Sequence, residues 1–340
     1  LFTELLRRLV VPSQPSDMSF SVRCDRTGLE YNGSTIRQLF AQRSNLLRPS
    51  YHRMLLDIIR FNRHASRDVV TGLGDETLRS YLDRGRFSRR LAEHYLVPMG
   101  SALWSMPPGD VLEMPVDFFV RFFHQHGMLT VDDRPEWRVV QGGSSRYRDA
   151  LVAGFAHRVR TGTPVRRVTR HSDHVMVDGE RFDEVVFACH SDAALAILAD
   201  PTPAEQEVLG AIPYRDNDVV LHTDTSVLPR RRRAWGAWNY TIPRADDGEV
   251  RVTYDMNILQ SLSGPTTFCV TLNATEDINP NSILFQTTYR HPQYSLAGFR
   301  AQARHEEISG RNRTHYCGAY WGYGFHEDGV RSGVKVAEAL

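Results

Sequence analysis

A chain of 340 residues with 41% hydrophobic and 24% charged side chains can bury one large core or two domains. A formal net charge of +1, with no long basic block, gives no footprint for nucleic acid. No signal peptide and no run of 18 apolar residues is visible. Cys24, Cys189, Cys269 and Cys317 form no CxxC pair and read as reduced, buried thiols, which points to the cytoplasm.

The chain opens inside an amphipathic pattern (Leu1, Leu5, Leu6, Leu9) that predicts a helix over residues 1–10. Asp25-Arg26-Thr27-Gly28 is a turn sequence and predicts a hairpin with strands at 19–24 and 29–32. From 36 to 128 the pattern is helical: Met54, Leu55, Ile58 and Ile59 share one face, Leu91, Tyr95 and Leu96 another, and Phe118, Phe119, Phe122 and Phe123 a third. The phenylalanines read as core rather than channel. At Trp137 the pattern changes to a strand, the Gly142-Gly143 turn and a helix over 146–157. Strands at 165–168, 175–177 and 184–189 follow, then two short helices within 192–212 and strands at 219–222, 234–240, 250–257 and 268–272. Arg230–Arg233 reads as a solvated turn. His124 and His126 stand two apart on a helix and face different ways, so no metal site is expected. Cys189 and His190 alternate across a strand and form no dyad, leaving Cys189 as a small buried hydrophobe.

The last 28 residues carry the most information. A strand over 314–317 stops at Gly318, an aromatic- and glycine-rich loop follows, and Asp328 is a candidate N-cap for a final helix marked by Val330, Val334, Val336 and Leu340. Such a helix aims free N–H groups and a positive dipole end at whatever lies before it. Val139 to Ser144, Thr163 to Arg170, Val175 to Glu180 and Phe182 to His190 form an ordered series upstream. Together these segments resemble the flavin amine oxidase and phytoene desaturase superfamily. More narrowly, Ser16-Asp-Met-Ser-Phe20, Phe118 to Gly127, Tyr254-Asp-Met-Asn257 and Cys317 to Gly329 resemble a bacterial family of predicted NAD/FAD-binding oxidoreductases, whose genes tend to lie beside cyclopropane-fatty-acid-synthase-type genes.

The resemblance implies an α/β, two-domain FAD-dependent oxidoreductase with a mixed-sheet substrate domain and a helical subdomain. Residues 1–35 would begin the substrate domain, 36–133 form a helical lid, 134–192 and 313–340 belong to the FAD domain, and 193–312 complete the substrate domain. It assigns FAD contacts to Val165, Ala188, Gly318, Ala319, Tyr320, Gly324, Phe325, His326, Glu327, Asp328, Gly329 and Val330. The backbone N–H groups of His326 and Gly329 would be the leading donors. It makes Trp321, Tyr323 and Phe325 substrate-facing candidates. No Gly-x-Gly-x-x-Gly is present, so the first βαβ unit of the relatives is expected to be missing, with weak FAD binding by residues 1–340 alone. Ala319 and Tyr320 stand where the superfamily often carries an acid.

The reaction implied is hydride removal onto flavin from an apolar substrate, a lipid acyl chain being the first choice. Rival readings are a flavin amine oxidase and a truncated, non-catalytic flavin-binding partner. Amine oxidases of the superfamily commonly use a lysine near the flavin, and here Lys335 is the only lysine. Arg43, Arg48, Arg53, Arg60, Arg63 and Arg67 punctuate Leu46, Leu47, Leu55, Ile58 and Ile59 as in an interfacial helix, which would add peripheral contact with the inner membrane. The alternative is a soluble helix with those Leu and Ile residues facing the core.

Overall fold

The computed structural model describes residues 1–130, 135–245 and 247–340. The fold is α/β, and its contacts gather into two compact units. Unit 1 comprises Leu1–Ser13, Val140–Arg215 and Pro292–Leu340; unit 2 comprises Gln14–Val139 and Asp216–His291.

Unit 2 is built on a seven-stranded mixed sheet in the order Ile283–Pro292, Tyr214–His222, Cys269–Leu272, Val252–Asp255, Trp238–Ile242, Phe20–Cys24, Leu29–Asn32. The expected hairpin is present, with Ser21 opposite Asn32 and Cys24 opposite Leu29. Strand Phe20–Cys24 also runs parallel to Trp238–Ile242. Val22, Leu29, Tyr31, Tyr240 and Val252 bury one face of this sheet with Tyr51 and Met54 of the long helix Pro49–Thr71. That helix also packs against Val116–Gln125, whose Phe118, Phe119, Phe122 and Phe123 are at most 1% exposed. They are core, because their spacing puts all four on faces covered by the long helix and by the Trp104 ring, 5.1 to 5.7 Å from three of them. The arginine run is not simply solvated. The buried Glu30 carboxylate accepts from the Arg230 and Arg231 amides at 3.0 and 3.2 Å and from the Arg231 guanidinium at 2.9 Å.

Unit 1 holds a parallel pair of strands, Val185–Phe187 and Thr314–Tyr316, and an antiparallel meander of Val168–Arg170, Val175–Val177 and Glu180–Phe182. Helices Ser191–Ile197 and Pro203–Gly210 pack on this framework with Phe187, Ile308 and Tyr316. A polar network lies within it. Glu205, almost fully buried, accepts from the Arg170 guanidinium at 2.9 Å and from the Tyr316 hydroxyl at 2.7 Å, and closes a capping box with Thr202. Burial alone would raise its pKa; the bonds from Arg170, Thr202 and Tyr316 outweigh that and hold it below the usual carboxylate range.

Several expectations need correction. Helix Phe2–Arg8 belongs with unit 1, because it packs on the terminal helix His326–Ala339, and Phe2 donates its N–H to Glu327 at 2.7 Å. Residues 193–215 and 292–312 also fall in unit 1 rather than in one block with the sheet. The strand expected at 165–168 is shifted to Val168–Arg170. Pro164 cannot donate to a ladder, and the Asp178 carboxylate takes the Arg166 and Arg167 amides at 2.8 to 3.1 Å instead. Cys189 is exposed, since it lies beyond the end of Val185–Phe187. On the long helix Leu55 and Ile58 pack against the core while Leu56 and Ile59 face outward.

Candidate functional site

The segment that follows Thr314–Tyr316 is held by many short bonds. Cys317 donates its amide to Phe187 O at 2.9 Å, carrying the parallel pairing one residue further. After Gly318 a single tight turn, Ala319–Trp321, leads into Gly322. Gln302 Nε2 donates to the carbonyls of Tyr320 and Gly322 at 2.8 and 2.7 Å. The terminal helix begins at His326, not at Asp328. Asp328 is the third helical residue, and its carboxylate reaches back to the Tyr323 and Phe325 amides, each at 3.1 Å. It therefore fixes the loop to the first turn, as the acidic member of a capping box does, and is itself buried. Gly322 is needed for that approach: a Cβ there would lie 2.3 Å from Asp328 Oδ1. Ser332 Oγ accepts the Gly318 N–H at 2.9 Å and ties the loop to the second turn.

In front of this helix start lies an open cavity of about 670 Å3, lined by Phe2, Tyr147, Ala319, Gly324, Phe325, His326, Gly329 and Val330. The Asp328 and Gly329 amides donate to Phe325 O at 3.0 and 3.1 Å, so Gly329 N–H is not the free donor expected of it. The His326 and Glu327 amides have no backbone acceptor among the described residues. Gly324 has φ +91°, and a Cβ on it would meet the Tyr294 hydroxyl at 2.5 Å; at Gly329 a Cβ would meet nothing nearer than 3.9 Å. The helix start thus presents two amide donors, a positive dipole end and open backbone at Gly329. A flat, anionic cofactor edge fits such a cradle. The His326 ring stacks with Phe2 at 4.8 Å and meets Tyr147 edge-on at 6.0 Å; although the residue is exposed overall, desolvation of its ring lowers its pKa, favouring the neutral imidazole.

The other expected site residues lie apart from this wall. Val165 and Ala188 are exposed and do not line the cavity. Tyr320 is buried, and Trp321 sits edge-on to His305 at 4.6 Å, against the core of unit 1. Glu327 turns its carboxylate to the Phe2 amide. Of the three aromatic substrate-facing candidates, Phe325 alone lines the cavity.

Unit 2 contains a second cavity that the sequence did not reveal. It is about 830 Å3, opens to solvent, and is lined among others by Met18, Phe20, Tyr95, Met99, Leu103, His126, Met128, Trp137 and Trp238. No Asp, Glu, Lys or Arg is among the described residues that line it. His126 is packed flat between Phe122 and Trp137, at 3.9 and 5.7 Å, with Nδ1 bonded to Phe122 O at 2.8 Å. The Trp238 indole N–H is buried and has no acceptor among the described residues. A cavity lined mainly by apolar and aromatic side chains is suited to a hydrocarbon ligand.

Residues 1–253 match the family model of flavin containing amine oxidoreductases. No curated protein matches the chain. Among solved structures, cyclohexylamine oxidase from Brevibacterium oxydans IH-35A aligns over 99% of this chain and 83% of its own, at TM-score 0.65 and 14% identity. A CLA-producing fatty acid isomerase from P. acnes aligns over 99% and 83%, at TM-score 0.66 and 14% identity. A putative protoporphyrinogen oxidase from Exiguobacterium sp. 255-15 covers 100% of this chain at TM-score 0.62 and 13% identity. At such identities the structural likeness speaks for the fold alone.

Proposed function

Because the chain belongs to the flavin containing amine oxidoreductase family, whose members are FAD-dependent oxidoreductases, we propose that it oxidises a lipid acyl chain rather than an amine. The observation that carries this reading is the cavity of unit 2, whose described lining is mainly aromatic, aliphatic and thioether side chains, with the Ser34 hydroxyl and the His126 ring but no Asp, Glu, Lys or Arg. An alkylammonium desolvated there would have no carboxylate to meet it, which costs several kcal/mol. A hydrocarbon chain would displace water from apolar walls at a gain of about 25 cal/mol per Å2.

FAD, when bound, supplies the two-electron hydride acceptor. The residues of unit 1 suited to hold it are Ala319, Gly324, Phe325, His326, Gly329 and Val330, with the His326 and Glu327 amides donating to its anionic edge. Each such contact at a helix start contributes about 0.3–2 kcal/mol. Val165, Ala188, Gly318, Tyr320 and Asp328 complete the proposed set, Gly318 and Asp328 by shaping the loop. The neutral His326 ring adds no charge beside the cofactor.

The lysine expected of an amine oxidase is not supplied elsewhere. Lys335 stands in the third turn of the terminal helix, paired with Glu306 at 2.7 Å at the surface. Arginine does not deprotonate to replace it. The substrate reading extends to reversible contact with the membrane that holds the acyl chain. The test is anaerobic mixing of the FAD-loaded protein, expressed from its complete gene, with phospholipids bearing methyl-branched or unsaturated chains and with polyamines and aromatic amines. The flavin should bleach with a lipid and stay oxidised with amines. Fast bleaching by an amine would reverse the assignment.

A further inference from the structure

Residues 36–71 of unit 2 contain seven arginines and two aspartates, in a chain whose net charge is only +1. Neither aspartate is a free surface charge. Asp57 is buried and accepts from Arg53 Nε at 3.2 Å and from the Ser88 amide at 3.1 Å. Asp68 accepts the Tyr81 hydroxyl at 2.8 Å. Arg37, Arg43, Arg63 and Arg67 are exposed, and none has a carboxylate partner among the described residues. Beside them stand aliphatic side chains with nothing packed on them: Leu47 is 87% exposed, Val70 81%, Ile36 77% and Leu56 65%.

Those on the long helix form one surface. At 100° per residue, His52, Leu56, Ile59, Arg63, Arg67 and Val70 of the helix Pro49–Thr71 fall within an arc of about 80°. The opposite side of the helix carries Tyr51, Met54, Phe61 and Ala65 into the core. The arc continues into the short helix Arg43–Leu47 before it, because the His52 ring bonds to Leu46 O at 2.9 Å. Leucines at a loop tip, an outward aliphatic stripe and unpaired guanidinium groups lie together without an outward carboxylate.

We infer that this face is an interfacial surface that seats the protein on a bilayer containing anionic phospholipid. The charge selects the partner: guanidinium groups without protein counter-ions complement lipid phosphates. The aliphatic side chains select a bilayer over an acidic protein. Leu56, Ile59 and Val70 extend along the helix and Leu46 and Leu47 stand just before it, an apolar stripe beside arginines as in helices that lie in the plane of a membrane surface. The docking deepens the lipid reading of the unit 2 cavity, but it is measured without turnover, so either can fail alone.

The experiment is flotation of the FAD-loaded protein from its complete gene with phosphatidylcholine vesicles, with and without phosphatidylglycerol, at low and high salt. Binding should require phosphatidylglycerol and weaken with salt. Arg63→Gln with Arg67→Gln should reduce partitioning about 25-fold, each arginine contributing about fivefold. Leu46→Ser with Leu47→Ser should reduce it at least about tenfold at unchanged flavin content and thermal midpoint. Equal binding to neutral vesicles, no binding to anionic vesicles at low salt, or variants that float like the parent would overturn the proposal. The salt and lipid dependence of the parent protein decides the matter even if a variant fails to fold.

Discussion

In unit 2 exposed large apolar side chains stand on an edge strand, as Leu284 and Phe285 do, or on the outward face of the long helix, as Leu56 and Val70 do, whereas in unit 1 Val186 in the parallel pair and Phe182 in the meander are each 40% exposed. The difference lies in what covers the strands. Parallel strands are normally covered on both faces. Of the parallel pair in unit 1, Val186 points to an open side while Phe187 is buried. Unit 1 therefore leans on a polar device, the Arg170–Glu205–Tyr316 network, where unit 2 leans on apolar packing. The unit that presents the helix start for a cofactor is thus the one whose stability should respond most to charge and to ligand, as linkage requires.

The largest effects should come from breaking each unit by its own means. Phe119→Ala in unit 2 should cost about 3–5 kcal/mol, measured by urea unfolding, because it leaves a cavity inside a closed core. Glu205→Gln in unit 1 should cost about 3 kcal/mol by leaving the buried Arg170 guanidinium with only the half-exposed Asp200 carboxylate, 3.3 Å away, as counter-charge. Replacing both partners with apolar residues should cost less than Glu205→Gln alone; a double variant worse than the single would show that the network is not the prop described.

Acid should discriminate the units next. The Glu205 carboxyl has a lowered pKa in the folded state, so the unfolded chain binds its proton first. Its contribution is complete above the usual carboxylate pKa and is lost as pH falls through the lower, folded value. Hydrogen exchange below that range should therefore open Val185–Phe187 and Thr314–Tyr316 before Trp238–Ile242. Simultaneous opening would argue for one cooperative fold.

A smaller effect is expected at the loop. Gly322→Ala should cost about 1–3 kcal/mol as Asp328 is pushed aside, and FAD should be lost on gel filtration while secondary structure persists. Smallest of all, Lys335→Ala should leave turnover unchanged, since its ammonium meets only Glu306 at the surface. A large loss of kcat in that variant would restore a catalytic lysine to the account.

What was legible in the sequence follows the same division between local and non-local causes. The hairpin at Phe20–Cys24 and Leu29–Asn32 was readable within a residue because its turn chemistry sits between its strands. The phenylalanine helix was readable because Phe118, Phe119, Phe122 and Phe123 keep the helical spacing over nearly two turns. Strand Ile283–Pro292 was not, since it lies at the edge of the sheet with mostly exposed side chains and shows no alternation to detect. Asp328 was assigned to the cap because an aspartate before an apolar stripe looks the same at the first and fourth positions; only the bonds to Tyr323 and Phe325 distinguish them. The unit 2 cavity gathers Met18, Tyr95, Met128, Trp137 and Trp238 from separate stretches of chain, so no window of sequence contains its signal.

The central claim is that the unit 2 cavity takes an acyl chain, and equilibrium binding tests it most directly. Titration of the complete, FAD-loaded protein with a phospholipid of defined chain, and separately with an aliphatic polyamine, should be compared with the variant Met99→Trp, which fills the cavity. The account predicts saturable lipid binding that weakens at least about tenfold in Met99→Trp, and no saturable binding of the amine. Tighter binding of the amine, or lipid binding untouched by Met99→Trp, would contradict it.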